Sequence, residues 1–233
     1  MKRDLLINYL TTELNISSCD EIVSKFSMFE KLLLEWNEKF NLTAITDEDG
    51  ILEKHFIDSI VLNKYLRLDG MKLCDIGTGA GFPGIPLAIL NQNLSVTLVE
   101  SNSKRIKFLQ EVKKQLSLEN VEIIQSRSED LKLNEHFDIV CARAVTELNV
   151  LLEITMHLIK VNGLLVAYKL FDVEDEVKHA EHALHVLDAK ISSLNKYSLP
   201  LTGINRCLVL IKKYGKTKKK YPRQYSEICK SPL

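Results

Sequence analysis

The residues best placed to do chemistry lie between Lys72 and Glu100. Residues 72–90 read KLCDIGTGAGFPGIPLAIL, and the next apolar run, Val96-Thr97-Leu98-Val99, closes on Glu100. The pattern predicts a short strand ending at Asp75, a turn dense in glycine (Gly77, Gly79, Gly81, Gly84) and a helix through Leu90. Glycines let the backbone turn tightly and let a ligand or a helix approach where a Cβ would collide. The helix N-terminus then turns unpaired N–H groups toward the ligand. Glu100 follows Gly81 by nineteen residues, close to the spacing of about 20 at which an acidic side chain accepts from ribose hydroxyls. One carboxylate on both ribose oxygens demands an unphosphorylated ribose, so the stretch reads as a nucleotide-type cofactor site.

Gly79-x-Gly81-x-x-Gly84 also satisfies the dinucleotide pattern, which alone is weakly specific. Two details favour S-adenosylmethionine over a nicotinamide cofactor. Asp75 lies two residues before Gly77, where an acid suits an ammonium group, and the glycines begin as Gly77-x-Gly79-x-Gly81. S-adenosylmethionine has no pyrophosphate, and Pro83 and Pro86 fit badly beneath one, which would want free N–H donors there.

The surrounding elements must hold this loop at a strand end. Ile22, Phe26, Phe29, Leu33, Trp36 and Phe40 recur at spacings of four and three, which predicts a helix over 19–40, with Ser18 and Glu21 as a capping box. Helices are also expected over 3–13 and 51–65, making residues 1–70 a helical appendage. Strands follow near 72–76, 95–99, 121–125, 137–142 and 163–168, with helices near 84–91, 103–117, 146–159 and 173–189. Such alternation implies a parallel sheet covered on both faces. The last strands, 191–196 and 206–213, are too closely connected for a crossover helix and must form an antiparallel arm. The expected fold is therefore α/β: a Rossmann-like, mostly parallel seven-stranded sheet with a terminal antiparallel arm over 71–213, as in class I S-adenosylmethionine-dependent methyltransferases.

Ligands of open α/β sheets bind beyond the carboxyl ends of the strands. That gathers Asp75–Gly84, Glu100, Arg127–Asp130, Ala142–Ala144 and Lys169 around one crevice. Ser128 and Glu129 lie where the adenine edge belongs, although Ser128 or Asp130 equally suits a helix N-cap. Arg143 can bind a carboxylate or phosphate, stack on a base, or form an ordinary ion pair. Cys141 has no neighbouring proline and reads as a buried small hydrophobe. There is no Asn/Asp-Pro-Pro-aromatic signature for methylation of an exocyclic amine. His179, His182 and His185 spread around the polar face of a helix instead of converging on a metal. Five cysteines without a CxxC pair indicate neither zinc nor a disulfide framework, so no metal is expected. The amino terminus lacks a secretory signal, no run approaches a membrane span, and a cytoplasmic protein is expected.

The net charge of zero hides an asymmetry: residues 212–233 hold eight basic residues against Glu227, with Tyr214, Tyr221 and Tyr225 interleaved. Residues 214–233 read as a basic tail able to neutralise phosphates and stack on bases, or as a solvated end.

Over residues 26–222 the chain resembles the small-subunit ribosomal RNA methyltransferases called RsmG or GidB, which methylate guanine N7. The resemblance rests on Phe40-Asn41-Leu42-Thr43, His55 with Asp58-Ser59, and the loop from Asp75 to Pro86. Lys104-Arg105-x-x-Phe108-Leu109, Arg127-x-Glu129, Arg143-Ala144 and Lys169 complete it. It implies that Gly77, Phe82, Ser128, Glu129 and Arg143 contact S-adenosylmethionine or line its pocket, and that Asn41, Arg143 and Lys169 face the RNA. Taken alone, Asn41 also suits a helix C-cap, His55 and Asp58 suit a mutual pair, and Lys169 an ordinary strand-end lysine. Two segments depart from the family pattern: Leu170 and Phe171 follow Lys169 where glycine is usual, and the stretch after Tyr221-Pro222-Arg223 lacks the usual glycine and proline. The implied partner is small-subunit rRNA, free or within an assembled or assembling 30S subunit, with the enzyme a monomer and no membrane involved. The competing functions are a small-molecule S-adenosylmethionine methyltransferase and a non-catalytic rRNA-binding assembly factor.

Overall fold

The computed structural model describes residues 2–233; Met1, the first residue of the expected helical appendage, lies outside them. The chain opens with α1 (Arg3–Glu13) and α2 (Asp20–Phe40). Next come α3 (Glu48–Gly50), a π-helical segment (Ile51–Ile57), α4 (Asp58–Ile60) and a 3-10 turn (Val61–Lys64). The sheet then alternates with helices: β1 (Lys72–Ile76), α5 (Gly84–Leu90), β2 (Ser95–Glu100), α6 (Ser103–Gln115) and β3 (Val121–Gln125). β4 (Phe137–Arg143), α7 (Leu148–Thr155), β5 (Ile159–Leu170), α8 (Glu174–His179) and α9 (Glu181–Val186) follow. β6 (Ala189–Ser198), β7 (Asn205–Lys213) and α10 (Tyr225–Lys230) close the chain.

The strand order is β3-β2-β1-β4-β5-β7-β6. β1 to β5 are parallel, and β7 pairs antiparallel with both β5 and β6. Strand order reverses between β1 and β4, which opens a crevice beyond their carboxyl ends.

Period-two alternation assigns side chains to two apolar layers. Leu73, Ile139, Cys141, Val166, Tyr168, Leu208 and Leu210 pack on one face in a core shared with Phe26, Phe29, Phe56 and Phe108. Cys74, Val140, Ala142, Leu165, Ala167, Val209 and Ile211 pack on the other with Leu148, Leu151, Leu152 and Leu184. The N-terminal helices thus belong to the covering of the first face.

Three local expectations are corrected. Ser18 does not cap α2: Cys19 is the residue before the helix, its thiol donates to the Ile16 carbonyl at 3.1 Å, and Glu21 pairs with Lys25. The helix over 51–65 is π-helical for a full seven residues before it tightens, so residues there are rotated relative to an α-helix. The helix over 173–189 is divided at Ala180 into two short helices, with Ala180, Ala183, Leu184 and Leu187 in the buried layer.

The basic tail is only partly a tail. Lys213 is fully buried, and its ammonium donates to the carbonyls of Met156 (2.9 Å) and Ile159 (2.7 Å), with Glu135 at 3.4 Å. Arg223, expected to be free for phosphate, donates instead to the buried Glu153 through Nε (2.7 Å) and Nη2 (2.6 Å). Ile228 of α10 is buried. Leu164 pairs with Lys212 and Leu170 with Arg206, so the lysines of 216–220 leave the sheet at the end away from the crevice.

Candidate functional site

The turn after β1 is built around Asp75, although not as the sequence suggests. The side chain is wholly buried; its Oδ2 accepts from the Thr78 hydroxyl (2.6 Å) and the Gly84 N–H (2.7 Å). Burial pushes its carboxyl up to about 7, against the pull of Thr78, Gly84 and Arg143. Asp75 therefore shapes the loop from within through Oδ2, while its Oδ1 is buried without a hydrogen-bond partner. Gly77 and Gly79 adopt φ of +63° and +62°. A Cβ on Gly77 would come within 3.0 Å of Val145, which packs over the turn. At the tip of β2, Glu100 accepts from the N–H groups of Gly79 (3.1 Å) and Asn102 (2.8 Å), with Arg105 at 3.4 Å. These contacts engage three of roughly four acceptor positions on the carboxylate and bring Gly79 and Glu100 together as expected.

Arg143, at the tip of β4, has the parity of Cys141 and so faces the N-terminal helices. Its Nη1 donates to the Lys54 carbonyl (2.8 Å) and Asp58 (3.1 Å), and its Nη2 meets His55 Nδ1 at 3.2 Å. The guanidinium lies 5.1 Å from the centre of the Phe82 ring, against which His55 also stacks at 4.4 Å. Phe82 is thus buried support beneath these two side chains. His55 and Asp58 both grip Arg143 instead of pairing with each other. Because Nδ1 accepts from Arg143, Nε2 carries the proton and donates to Thr43 Oγ1 (2.8 Å). Asn41 caps α2 in the left-handed conformation, φ 49°, and the Thr43 N–H donates to Asn37 Oδ1 at 2.8 Å. Asn41 is exposed and does not line the cavity described next.

Burial and the Arg143 charge lower the His55 pKa from 6.5 to about 3. Below pH 6.5 the unfolded chain binds a proton that the folded protein refuses. The stability this group contributes is therefore complete above 6.5 and lost as pH falls toward 3. His55→Gln is expected to flatten the pH dependence of unfolding free energy over that window, measured by urea titration. An unchanged slope would mean that His55 titrates normally.

Lys169 has the opposite parity and faces α8, where its ammonium reaches Glu176 (2.5 Å) and the Thr146 carbonyl (2.8 Å). Arg143 and Lys169 nevertheless meet at one cavity of about 580 Å³, whose rim also includes Lys54, Leu170, Tyr197 and Arg206. Among the described residues Lys54 and Arg206 make no ion pair. Ala144 carries the chain past this cavity at φ 55°, a conformation costly for a residue with a Cβ. Beyond β3, Ser128 opens a 3-10 turn, and its hydroxyl donates to the Ile154 carbonyl at 2.5 Å. Glu129 is nearly buried, and its Oε1 accepts no hydrogen bond.

Sequence reasoning missed Tyr197, whose hydroxyl donates to Asp58 at 2.7 Å, and Tyr168, whose hydroxyl donates to the Ser59 carbonyl at 2.8 Å. Alternation along β5 would have placed Tyr168 beside Cys141; Tyr197 lies on an edge strand whose pairing is not readable locally. Among the described residues no group of three or more His, Cys, Asp or Glu could hold a metal ion, and no helix is long and apolar enough to cross a membrane. His179, His182 and His185 are exposed.

Among solved structures, M. jannaschii TYW2 in complex with AdoMet superimposes with a TM-score of 0.56 at 19% identity, covering 72% of this chain and 76% of that one. A SAM-dependent methyltransferase from Aquifex aeolicus gives 0.54 at 18% identity, covering 79% and 97%. These likenesses establish the fold. The sequence model of the GidB family, described as rRNA small subunit methyltransferase G, matches residues 22–205. Relatives named ribosomal RNA small subunit methyltransferase G include one from Thermoanaerobacter sp. (strain X514), 43% identical over 91% of this chain and 90% of the relative. Another, from Alkaliphilus metalliredigens (strain QYMF), is 37% identical over the full length of both. With that family match over residues 22–205 and relatives 37% and 43% identical over nine-tenths or more of its length, this chain belongs to the GidB family of small-subunit rRNA methyltransferases.

Proposed function

We propose that this protein methylates N7 of a guanosine in small-subunit (16S) ribosomal RNA, with S-adenosylmethionine as donor. The observation that carries the reading is the family match across residues 22–205, joined to a cation-lined cavity beside the glycine turn at the sheet's switch point. The chain fits the donor at three places: the left-handed turn at Gly77 and Gly79, the fixed carboxylate of Glu100, and the unpartnered Oε1 of Glu129. When bound, the donor supplies an electrophilic methyl group on a sulfonium.

Guanine N7 carries a free lone pair, so the protein needs no general base. The chain's residues position and enclose the reactants. Arg143 and Lys169 are each matched by an acid, Asp58 and Glu176, which offsets their repulsion of the positive charge the base gains. Lys54 and Arg206 remain to meet RNA phosphates at the rim. In this reading residues 1–70 frame the RNA side, 71–213 hold the donor, and the cytoplasmic monomer meets rRNA in an assembled or assembling 30S subunit.

The test is transfer of labelled methyl to 16S rRNA, presented naked and as 30S subunits, with the modified nucleotide mapped. N7-methylguanosine at one position is expected; no incorporation into either substrate would overturn the reading.

A further inference from the structure

A second cavity, about 470 Å³, lies between the turn after β3 and the C-terminal segment. Its walls are Arg127, Glu129 and Asp130 on one side and residues 222–226 on the other. Glu129 has 9% of its side chain exposed, its Oε1 lacks a hydrogen bond, and the Arg127 guanidinium is 3.8 Å away. A buried acceptor left unmatched is costly and calls for a donor. The opposite wall is firmly held: the Arg223 backbone N–H (3.1 Å) and its guanidinium both donate to Glu153, which is wholly buried. From that anchor Tyr225 sets its ring 5.3 Å from the Arg127 guanidinium.

The cavity also has a fixed relation to Glu100. The Ser126 N–H donates to the Glu100 carbonyl at 3.1 Å, and Glu100 pairs in register with Gln125. A nucleoside with its ribose on Glu100 must direct its base along the strand order, toward the tip of β3. We infer that the C-terminal segment 222–226, latched by the Arg223–Glu153 pair, forms the outer wall of the adenine end of the donor site and holds Glu129 where it accepts from the exocyclic amine. Tyr225 restrains Arg127, which sets how Glu129 is aimed; Arg223 and Tyr225 are positioning residues. The inference rests on the S-adenosylmethionine reading.

Calorimetry of the full chain with S-adenosylhomocysteine and with S-inosylhomocysteine, which replaces the amine by a carbonyl oxygen, tests it. The unaltered protein is expected to prefer the adenosyl compound by about tenfold or more, since a site built for a donor rejects an acceptor. Tyr225→Ala and Arg223→Ala should narrow that preference to within about threefold, a change tied to loss of the amine contact. Tyr225 is partly exposed, so its variant tests the idea even where Arg223→Ala unfolds. If both affinities fall together, or neither moves, the segment is only a structural cover and the inference fails. Failure of the unaltered protein to bind either compound would instead refute the donor assignment.

Discussion

Arg143→Ala is expected to cost the fold about 3–5 kcal/mol and to abolish most methyl transfer. The guanidinium is 16% exposed and Asp58 is 6% exposed, so the substitution strands a buried carboxylate. Only the Tyr197 hydroxyl would remain on Asp58, while the Lys54 carbonyl and His55 Nδ1 would lose their donor. A planar guanidinium also lies over Phe82, which a lysine cannot reproduce. Arg143→Lys should therefore recover part of the stability and little of the transfer. Asp58→Asn in the Arg143→Ala background should be less damaging than the two single changes added together, because it removes the stranded charge. Denaturant unfolding of the parent and the four variants, alongside labelled-methyl transfer, decides the matter. Stability of Arg143→Ala within about 0.5 kcal/mol of the parent would show that the network contributes little, since that is the range of ordinary surface changes.

Gly84→Ala should be the most damaging single methyl group in the molecule. Its backbone is ordinary, so the effect is purely one of space. A Cβ there would lie 2.2 Å from Leu98 Cδ2 and 2.8 Å from Asp75 Oδ2. Leu98 and Asp75 are both wholly buried and have nowhere to retreat. α5 must move off the sheet, which breaks the Gly84 N–H bond to Asp75 and reshapes the turn that carries Gly77 and Gly79. Overpacking of this kind costs about 1–3 kcal/mol, and loss of the buried hydrogen bond adds about 1–3 kcal/mol more. Thermal unfolding should fall sharply and S-adenosylhomocysteine binding should vanish in calorimetry. Parental affinity in this variant would mean that the turn tolerates displacement of α5.

Much of this was readable. All seven strands follow from apolar runs bounded by turn residues, and Glu100 and the glycine turn are coupled as spacing implied. Side-chain direction was harder. Arg143 and Lys169 look alike as strand-end cations, yet parity sends one to His55 and Asp58 and the other to Glu176. Asp75 was read as a ligand-facing acid because it ends a strand; that its Oδ2 also braces the loop against Gly84 was not legible from its position alone. Arg223 was misread because charge was counted without partners. A signal existed: Glu153 stands alone among apolar residues in Leu148–Thr155, and a lone acid in a buried helix demands a cation from elsewhere. Glu53, wholly buried although Lys54 and His55 follow it, is met by the N–H groups of Leu201 (2.5 Å) and Thr202 (2.8 Å).

That last contact has a bearing on the order in which the molecule is completed. The segment 53–59 takes its partners from far downstream: Arg143 for Asp58, Tyr168 for the Ser59 carbonyl, Tyr197 for Asp58, and the 201–202 turn for Glu53. The separations run from 85 to 149 residues. Closing such distant loops slows folding, since entropy is lost before the contact forms. During synthesis the segment emerges early, carrying two acids in an apolar setting, and waits until almost nine-tenths of the polypeptide has been made. The arrival of the β6–β7 turn gives Glu53 its donors and with them the last of this segment's distant polar partners.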